Sequence, residues 1–217
     1  MNDTDRLRAA LQRDFQVVLP SSDRAWSRAP ALRVIDCVLS LRRNYDRFLV
    51  PRLNRFEEQF PETTSITQLR TLVDTYSSPA AFVKDALNYN DPPRAQTLNA
   101  VIDYLLTAAV SRDGGSELDR LRSWADDAKP GDYKALGIRV FALAGFQYLR
   151  MLFGANTTKP DVHICRYITK AVGHRVSDIE ALSLLEDATR GESLSLRDLD
   201  TAIWERSARE IPKRGPV

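Results

Sequence analysis

The sequence is poor in cysteine, with only Cys37 and Cys165 among 217 residues. Two thiols cannot build a zinc ribbon, a zinc finger of the four-cysteine kind or a four-cysteine iron–sulfur loop. They fall in no metal-ligand spacing and suit a reduced, cytoplasmic setting. Histidine is as scarce, at positions 163 and 174 alone. Long apolar runs are missing: the longest stretch without a charged side chain, 140–149, is ten residues, where a membrane-spanning helix needs ~20. The opening MNDTDRLRAALQRDF carries acids and no apolar signal core, so neither export nor membrane insertion is expected. No charge of one sign dominates: Lys+Arg 31 against Asp+Glu 29 gives +2, which excludes a histone-like chain or an acidic tail protein. No linker rich in Pro, Gly or Ser, no repeat of fixed period and no alternating β-branched run is present.

What is there is helical spacing. With 43% apolar residues the chain can bury a real core. Leu7, Leu11, Phe15 and Val18 fall on one face of an opening helix. After Pro30, Leu32, Ile35 and Leu39, with Val34, Val38 and Leu41 on the neighbouring row, predict a second. Ser65 to Gln68 reads as a capping box ahead of Leu69, Leu72 and Val73. Ser78-Pro79 is an N-cap with a proline at the first helical position, followed by Phe82, Val83, Ala86 and Leu87. Leu98, Val101, Ile102, Leu105 and Ala109 mark a helix that stops near Gly114-Gly115. Ser116 opens one with Leu118, Leu121 and Trp124. From about Asp132 to Phe153 the chain reads as helical, with a break near Gly137, and Gly154 ends it. A helix follows Pro160-Asp161. Ser177 to Glu180 is a further capping box, closed at Gly191, and Ser195 opens the last helix through Leu199, Ile203 and Trp204. The fold class is therefore all-α, with about ten helices. Trp26, Trp124 and Trp204 are expected in the core, and His174 on the surface.

Charge is unevenly placed. Residues 24–55 hold eight arginines (24, 28, 33, 42, 43, 47, 52 and 55) against Asp36 and Asp46, whereas 177–200 hold seven acids against two arginines. Arginine suits phosphate, guanine edges and base faces, so the first stretch is a candidate nucleic-acid surface whose binding weakens with salt.

The segment GFQYLRMLFGANTTKPDVHICRYITKAV, 145–172, carries the chemistry. A helix stops at Phe153-Gly154, a short loop follows, and Asp161-Val162-His163 opens the next helix, continued by Arg166-Tyr167. This arrangement resembles the catalytic segment of the helix-hairpin-helix DNA glycosylases. VIDCVLSLRRNYDRF (34–48) resembles that family's early helix, with Arg42 where a side chain fills the hole left by an extruded base. DPPRAQTLNAVIDYLLT (91–107) resembles another of its helices, and the segments from Val176 to Ser207 resemble the tail of a divergent bacterial branch without an iron–sulfur cluster. The resemblance covers roughly 30–206. It implies one glycosylase unit over 1–217, built as two helical subdomains with the active site between them. A degenerate hairpin falls near 132–153 and the catalytic helix start at 160–163.

The same resemblance implies a function. A monofunctional DNA N-glycosylase would extrude a damaged or modified base from double-stranded DNA, acting as a monomer, nucleoid-associated, with no metal or organic cofactor. A fixed carboxylate stabilises oxocarbenium character on the sugar and deprotonates the attacking water, and a helix start favours the charged form of Asp161. Arg42, Arg43 and Tyr45 are the candidate wedge or stacking residues. Lys159 is a phosphate-binding candidate, or alternatively a nucleophile, and His163 a hydrogen-bonding residue at the DNA site. Where the family hairpin has Leu-Pro-Gly-x-Gly, this sequence has Gly137, Ile138, Arg139, Val140 and Phe141, so Arg139 would contact phosphate in place of backbone amides. The lysine of lyase members is replaced by Leu143, which disfavours a Schiff-base route. Candidate substrates are an alkylated or deaminated base, or a hypermodified base such as a glucosylated cytosine of phage DNA, excised as antiviral defence. The alternative is a non-catalytic DNA-binding module that recognises distorted or modified DNA.

Overall fold

The computed structural model describes residues 1–16, 18, 27–138, 140–192 and 194–210. Among them are eleven α-helices and no strand, so the chain is all-α. No helix among the described residues is long and apolar enough to cross a membrane. The chain divides into two compact units, one formed by 1–22 with 156–217 and the other by 23–155.

The first helix, α1 (Asp3–Asp14), belongs to the divided unit. Asn2 caps it by accepting from the Asp5 amide at 2.8 Å. The spacing predicted a helix reaching Val18, but α1 stops at Asp14 with Phe15 as its C-cap. Phe15 keeps its apolar role off the helix, tilted against the Tyr167 ring at 5.6 Å.

The continuous unit holds seven helices: α2 (Pro30–Ser40), α3 (Val50–Gln59), α4 (Ile66–Asp74), α5 (Pro79–Ala86), α6 (Pro92–Leu105), α7 (Glu117–Asp127) and α8 (Leu143–Leu152). The caps read from the sequence are present. Ser65 and Gln68 close a reciprocal capping box on α4, Ser78 caps α5 with Pro79 inside it, and Ser116 with Asp119 caps α7. A single π-helical turn leads into α3 (Tyr45–Leu49), and another extends α6 (Leu106–Val110). The helix α2 is buried from Ala31 to Leu39 on every side, charged residues included. An all-round apolar helix is central, and this one packs against α3, α4, α6 and α8. Around Trp124 the rings of Tyr104, Phe146 and Phe153 stand edge-on at 5.9, 5.9 and 6.3 Å, the arrangement that aromatic quadrupoles favour. Gly145 of α8 lets that helix approach closely: a Cβ there would meet the Phe141 ring at 3.2 Å.

The expected helix over 132–153 is corrected. Its first half is a 3-10 turn, Pro130–Leu136, and α8 begins only at Leu143. The turn buries none of its residues. Only Tyr133 and Leu136, both half-buried, pack against the core, and Pro130-Gly131 with the bond from the Lys129 amide to Asp132 Oδ2 at 2.8 Å set a tight local turn instead.

In the divided unit, α9 (Val162–Val172), α10 (Asp178–Thr189) and α11 (Leu196–Glu210) follow. They close with α1 over a core of Leu7, Leu11, Ile164, Ile168, Val172, Leu185, Leu199 and Ile203. Ser177 and Glu180 form the capping box expected on α10. Trp204 corrects the expectation of a core tryptophan, being 41% exposed, and Trp26 lies outside the described residues.

Arginines stitch helix ends in both units. In the continuous one, Arg33 donates to the Leu152 carbonyl at 2.9 Å, Arg150 to Ala125 at 2.9 Å, and Arg94 to Val38 and Leu41 at 3.0 and 3.1 Å. In the other, Arg6 donates to Val172 at 2.9 Å and Arg8 to Ala188 at 3.1 Å. Terminal carbonyls of a helix lack internal partners, and a guanidinium offers several donors to them at once.

Candidate functional site

The site is built on the loop between α8 and α9, in the part that belongs to the divided unit. Gly154, at φ +110, stops α8 in a conformation that side chains with a Cβ rarely adopt. Asn156 Oδ1 then accepts from the Leu196 amide at 2.8 Å and so caps α11. Thr157, Thr158 and Pro160 are buried. The Asp161 amide donates back to the Lys159 carbonyl at 2.6 Å, a γ-turn centred on Pro160.

Asp161 is the N-cap of α9. Its Oδ1 accepts from the amides of His163 at 2.8 Å and Ile164 at 3.2 Å. Its second oxygen, Oδ2, meets no donor among the described residues. Val162 beside it is 61% exposed. The carboxylate is thus fixed through one oxygen and open at the other. His163 turns its Nδ1 to Ser207 Oγ at 2.8 Å, and its ring stands edge-on to Trp204 at 6.3 Å. Lys159, Asp161 and His163 are brought together by the loop and the first turn of α9.

A residue that sequence reasoning missed completes this neighbourhood. Asp200, in α11, is buried, and its Oδ1 accepts from Thr158 Oγ1 at 2.5 Å and from the Lys159 amide at 2.7 Å. Burial pushes its carboxyl up to about 7; the Asp161 charge adds to the rise, while the Thr158 hydroxyl, the Lys159 amide and the Lys159 ammonium hold it back. The signal was in the spacing: Asp200 sits within the apolar stripe Leu196, Leu199 and Ile203, where an acid must find donors.

Cys165, one turn into α9, is no nucleophile. Burial and then Asp178 push its thiol up to about 12, where thiolate is negligible near neutral pH.

The other candidates lie in the continuous unit or outside the described residues. Arg42 is exposed at φ +58 and, like the exposed Arg47, its side chain meets no partner among the described residues. Arg43 donates to Tyr89 Oη at 2.8 Å and lies over the Phe48 and Tyr89 rings at 5.5 and 5.7 Å. Tyr45 does not project: it is half-buried and its hydroxyl donates to Asp36 Oδ2 at 2.9 Å. Arg139 lies outside the described residues, as does Arg24. Of the arginines counted as a surface, Arg33 is buried, Arg28 pairs with Asp36 at 3.1 Å, and Arg52 donates to the Phe48 carbonyl at 2.7 Å. Much of that charge therefore serves the core.

No group of three or more His, Cys, Asp or Glu among the described residues could hold a metal ion. A family described as a domain of unknown function (DUF8548) matches residues 5–208. The chain belongs to that family. The match takes in the loop, Asp161 and all of α2 to α10, so both units are part of what the family shares in extent. No curated protein and no solved structure matches the chain.

Proposed function

We propose that this protein is a monofunctional DNA N-glycosylase in which Asp161 is the reacting carboxylate. One observation carries the reading: Asp161 is fixed through Oδ1 by two backbone amides, with Oδ2 left open beside an exposed helix start. A carboxylate held this way is preorganised for charge that develops in front of it. The base leaves the DNA stack before reaction. The C1′–N bond then breaks, its electron pair leaving with the base, which takes a proton from solvent. Water oxygen bonds to C1′, and Asp161 accepts the proton that water loses. The products are a free base and an abasic site. In this reading Lys159, two residues away, offsets phosphate charge, and Arg42 and Arg47, exposed on the other unit, are further cations suited to phosphate. The candidate substrates are alternatives: an alkylated or deaminated base, or a hypermodified base such as the glucosylated cytosine of phage DNA.

The test is abasic-site formation on duplexes carrying uracil, hypoxanthine or a methylated purine, and on phage DNA with and without glucosylated cytosine. Asp161→Asn is to lower excision by at least about 100-fold while duplex binding stays the same or tightens. Full excision by that variant refutes the mechanism.

The non-catalytic DNA-binding reading is favoured by one finding. The hairpin position lacks its two glycines, and its first arm is a 3-10 turn. It predicts salt-dependent binding with no abasic product from any duplex in the panel.

A further inference from the structure

Asp200 is a buried carboxylate in contact with the loop that delivers Asp161. Both of its observed donors, Thr158 and Lys159, lie in that loop, and both meet the same oxygen. The Lys159 backbone works in two directions. Its amide donates to Asp200, and its carbonyl accepts from the Asp161 amide across the turn at Pro160. The backbone of one residue, Lys159, therefore links α11 to the residue that caps α9, through one hydrogen bond from each of the two peptide groups that flank its Cα.

We propose that Asp200 is the positioning residue of the Asp161 site: its carboxylate anchors Thr158 and Lys159, and through the turn at Pro160 it sets where the open oxygen of Asp161 is presented. The inference rests on the glycosylase reading only in taking Asp161 as the reacting group. An amide could accept the same two bonds, but it could not supply charge. Bonds from a hydroxyl and an amide to an ionised carboxylate are shorter and stronger than those to a neutral acceptor. The ionised form thus grips the loop harder, and it adds negative potential where the sugar becomes cationic. The charged groups that act on the Asp200 carboxyl are Asp161, at the start of α9, which opposes ionisation, and Lys159, in the loop before it, which favours ionisation. Its ionisation falls in the neutral range, so excision rises as pH climbs through about 7.

The experiment compares the full chain with Asp200→Asn, Asp200→Ala and Thr158→Val. Two readouts are used: single-turnover abasic-site formation from pH 5.5 to 9 on the substrate panel above, and hydrogen exchange over 156–163. Asp200→Asn, which keeps both acceptor contacts, is to retain loop protection and lose the rise of rate across neutral pH. Thr158→Val, which removes one donor that favours ionisation, is to shift that rise to higher pH. Asp200→Ala is to speed exchange at Lys159 and Asp161 by at least about tenfold, the order expected for loss of a hydrogen bond to a charged acceptor, and to slow excision likewise. Wild-type excision with no rise through neutral pH, or an unchanged rise in Asp200→Asn, overturns the proposal. So does unchanged loop exchange in Asp200→Ala or, if that variant does not fold, in Thr158→Val. If wild type excises nothing from the panel, the glycosylase reading fails, while exchange still decides whether Asp200 anchors the loop: faster exchange upholds the anchor and unchanged exchange removes it.

Discussion

Each unit buries an aspartate, and the two are treated differently. Asp36, in α2, is fully buried and surrounded by donors from three places: Arg28 at 3.1 Å, Tyr45 at 2.9 Å and Tyr148 at 2.9 Å. A cation and two phenols saturate it. Asp200, in α11, accepts among the described residues from one hydroxyl and one amide, and its carboxyl rises to about 7. Asp36 has a guanidinium counter-charge in direct contact, whereas Asp200, given only neutral direct donors among the described residues, is left close to its ionisation point. The first belongs to a helix that the core wraps completely. The second borders the loop of the candidate site.

The contrast can be broken at its strongest point first. Asp36→Ala removes the acceptor of a partly buried guanidinium and two hydroxyls, and is expected to lower stability by roughly 3–5 kcal/mol in urea titration, with the continuous unit affected most. A loss under about 1 kcal/mol would mean that Asp36 is not the hub its geometry implies.

Asp200→Asn sharpens the other side, and its sign is opposite to that of an ordinary paired carboxylate. Because the folded value, about 7, lies above the unfolded value of 3.8, the contribution of Asp200 is fully present below the unfolded value and is lost as pH rises through the folded one. Between pH 5 and 8 wild type is therefore expected to lose roughly 2–3 kcal/mol relative to Asp200→Asn, seen as diverging urea midpoints. Parallel midpoints across that range would place the ionisation of Asp200 elsewhere.

Removing one donor from each carboxylate gives a smaller, matched pair. Tyr148→Phe is expected to cost about 1–2 kcal/mol, and Thr158→Val a similar or smaller amount that grows with pH as Asp200 ionises. The smallest effect is at the surface, where Asp3 accepts from His174 Nε2 at 2.9 Å and raises that imidazole's ionisation. Its stabilisation is present at low pH and lost as pH rises through the folded His174 value. Asp3→Asn is expected to lower the NMR titration midpoint of His174 without a measurable change in melting temperature.

The helices were legible where a cap and an apolar stripe agreed, as at Ser65, Ser78, Ser116 and Ser177. They were misread where only one signal was present. The stretch 130–136 has helix-compatible residues but buries none of them, and it became a 3-10 turn. Phe15 and Val18 continue an apolar pattern after the helix carrying it has ended, because apolar packing does not require helix. Asp161 could be placed at a helix start from Pro160 and the following apolar residues. Its open oxygen could not, since that depends on what surrounds the loop. The arginine-rich stretch was legible only in part, for a physical reason: a guanidinium serves a helix carbonyl or a buried carboxylate as readily as a phosphate, and sequence spacing does not distinguish them. Arg28, Arg33 and Arg52 took the first two roles.

The division of the chain has a consequence for its synthesis. Arg6 and Arg8 of α1 find their carbonyl partners at Val172 and Ala188, separated by 166 and 180 positions. Seven helices and a complete core, 23–155, leave the ribosome in between. For all that time Leu7 and Leu11 have no native partner from α9 to α11. Although α1 precedes the seven helices of the continuous unit, it is thus seated in its own unit only after them, and closing so long a loop is slow even though its entropy grows only logarithmically with length. The continuous unit can assemble behind it as the chain emerges. The loop bearing Asp161 can take its final shape only after α11, with Asp200, has been delivered, so the candidate site completes late although its own residues are made earlier.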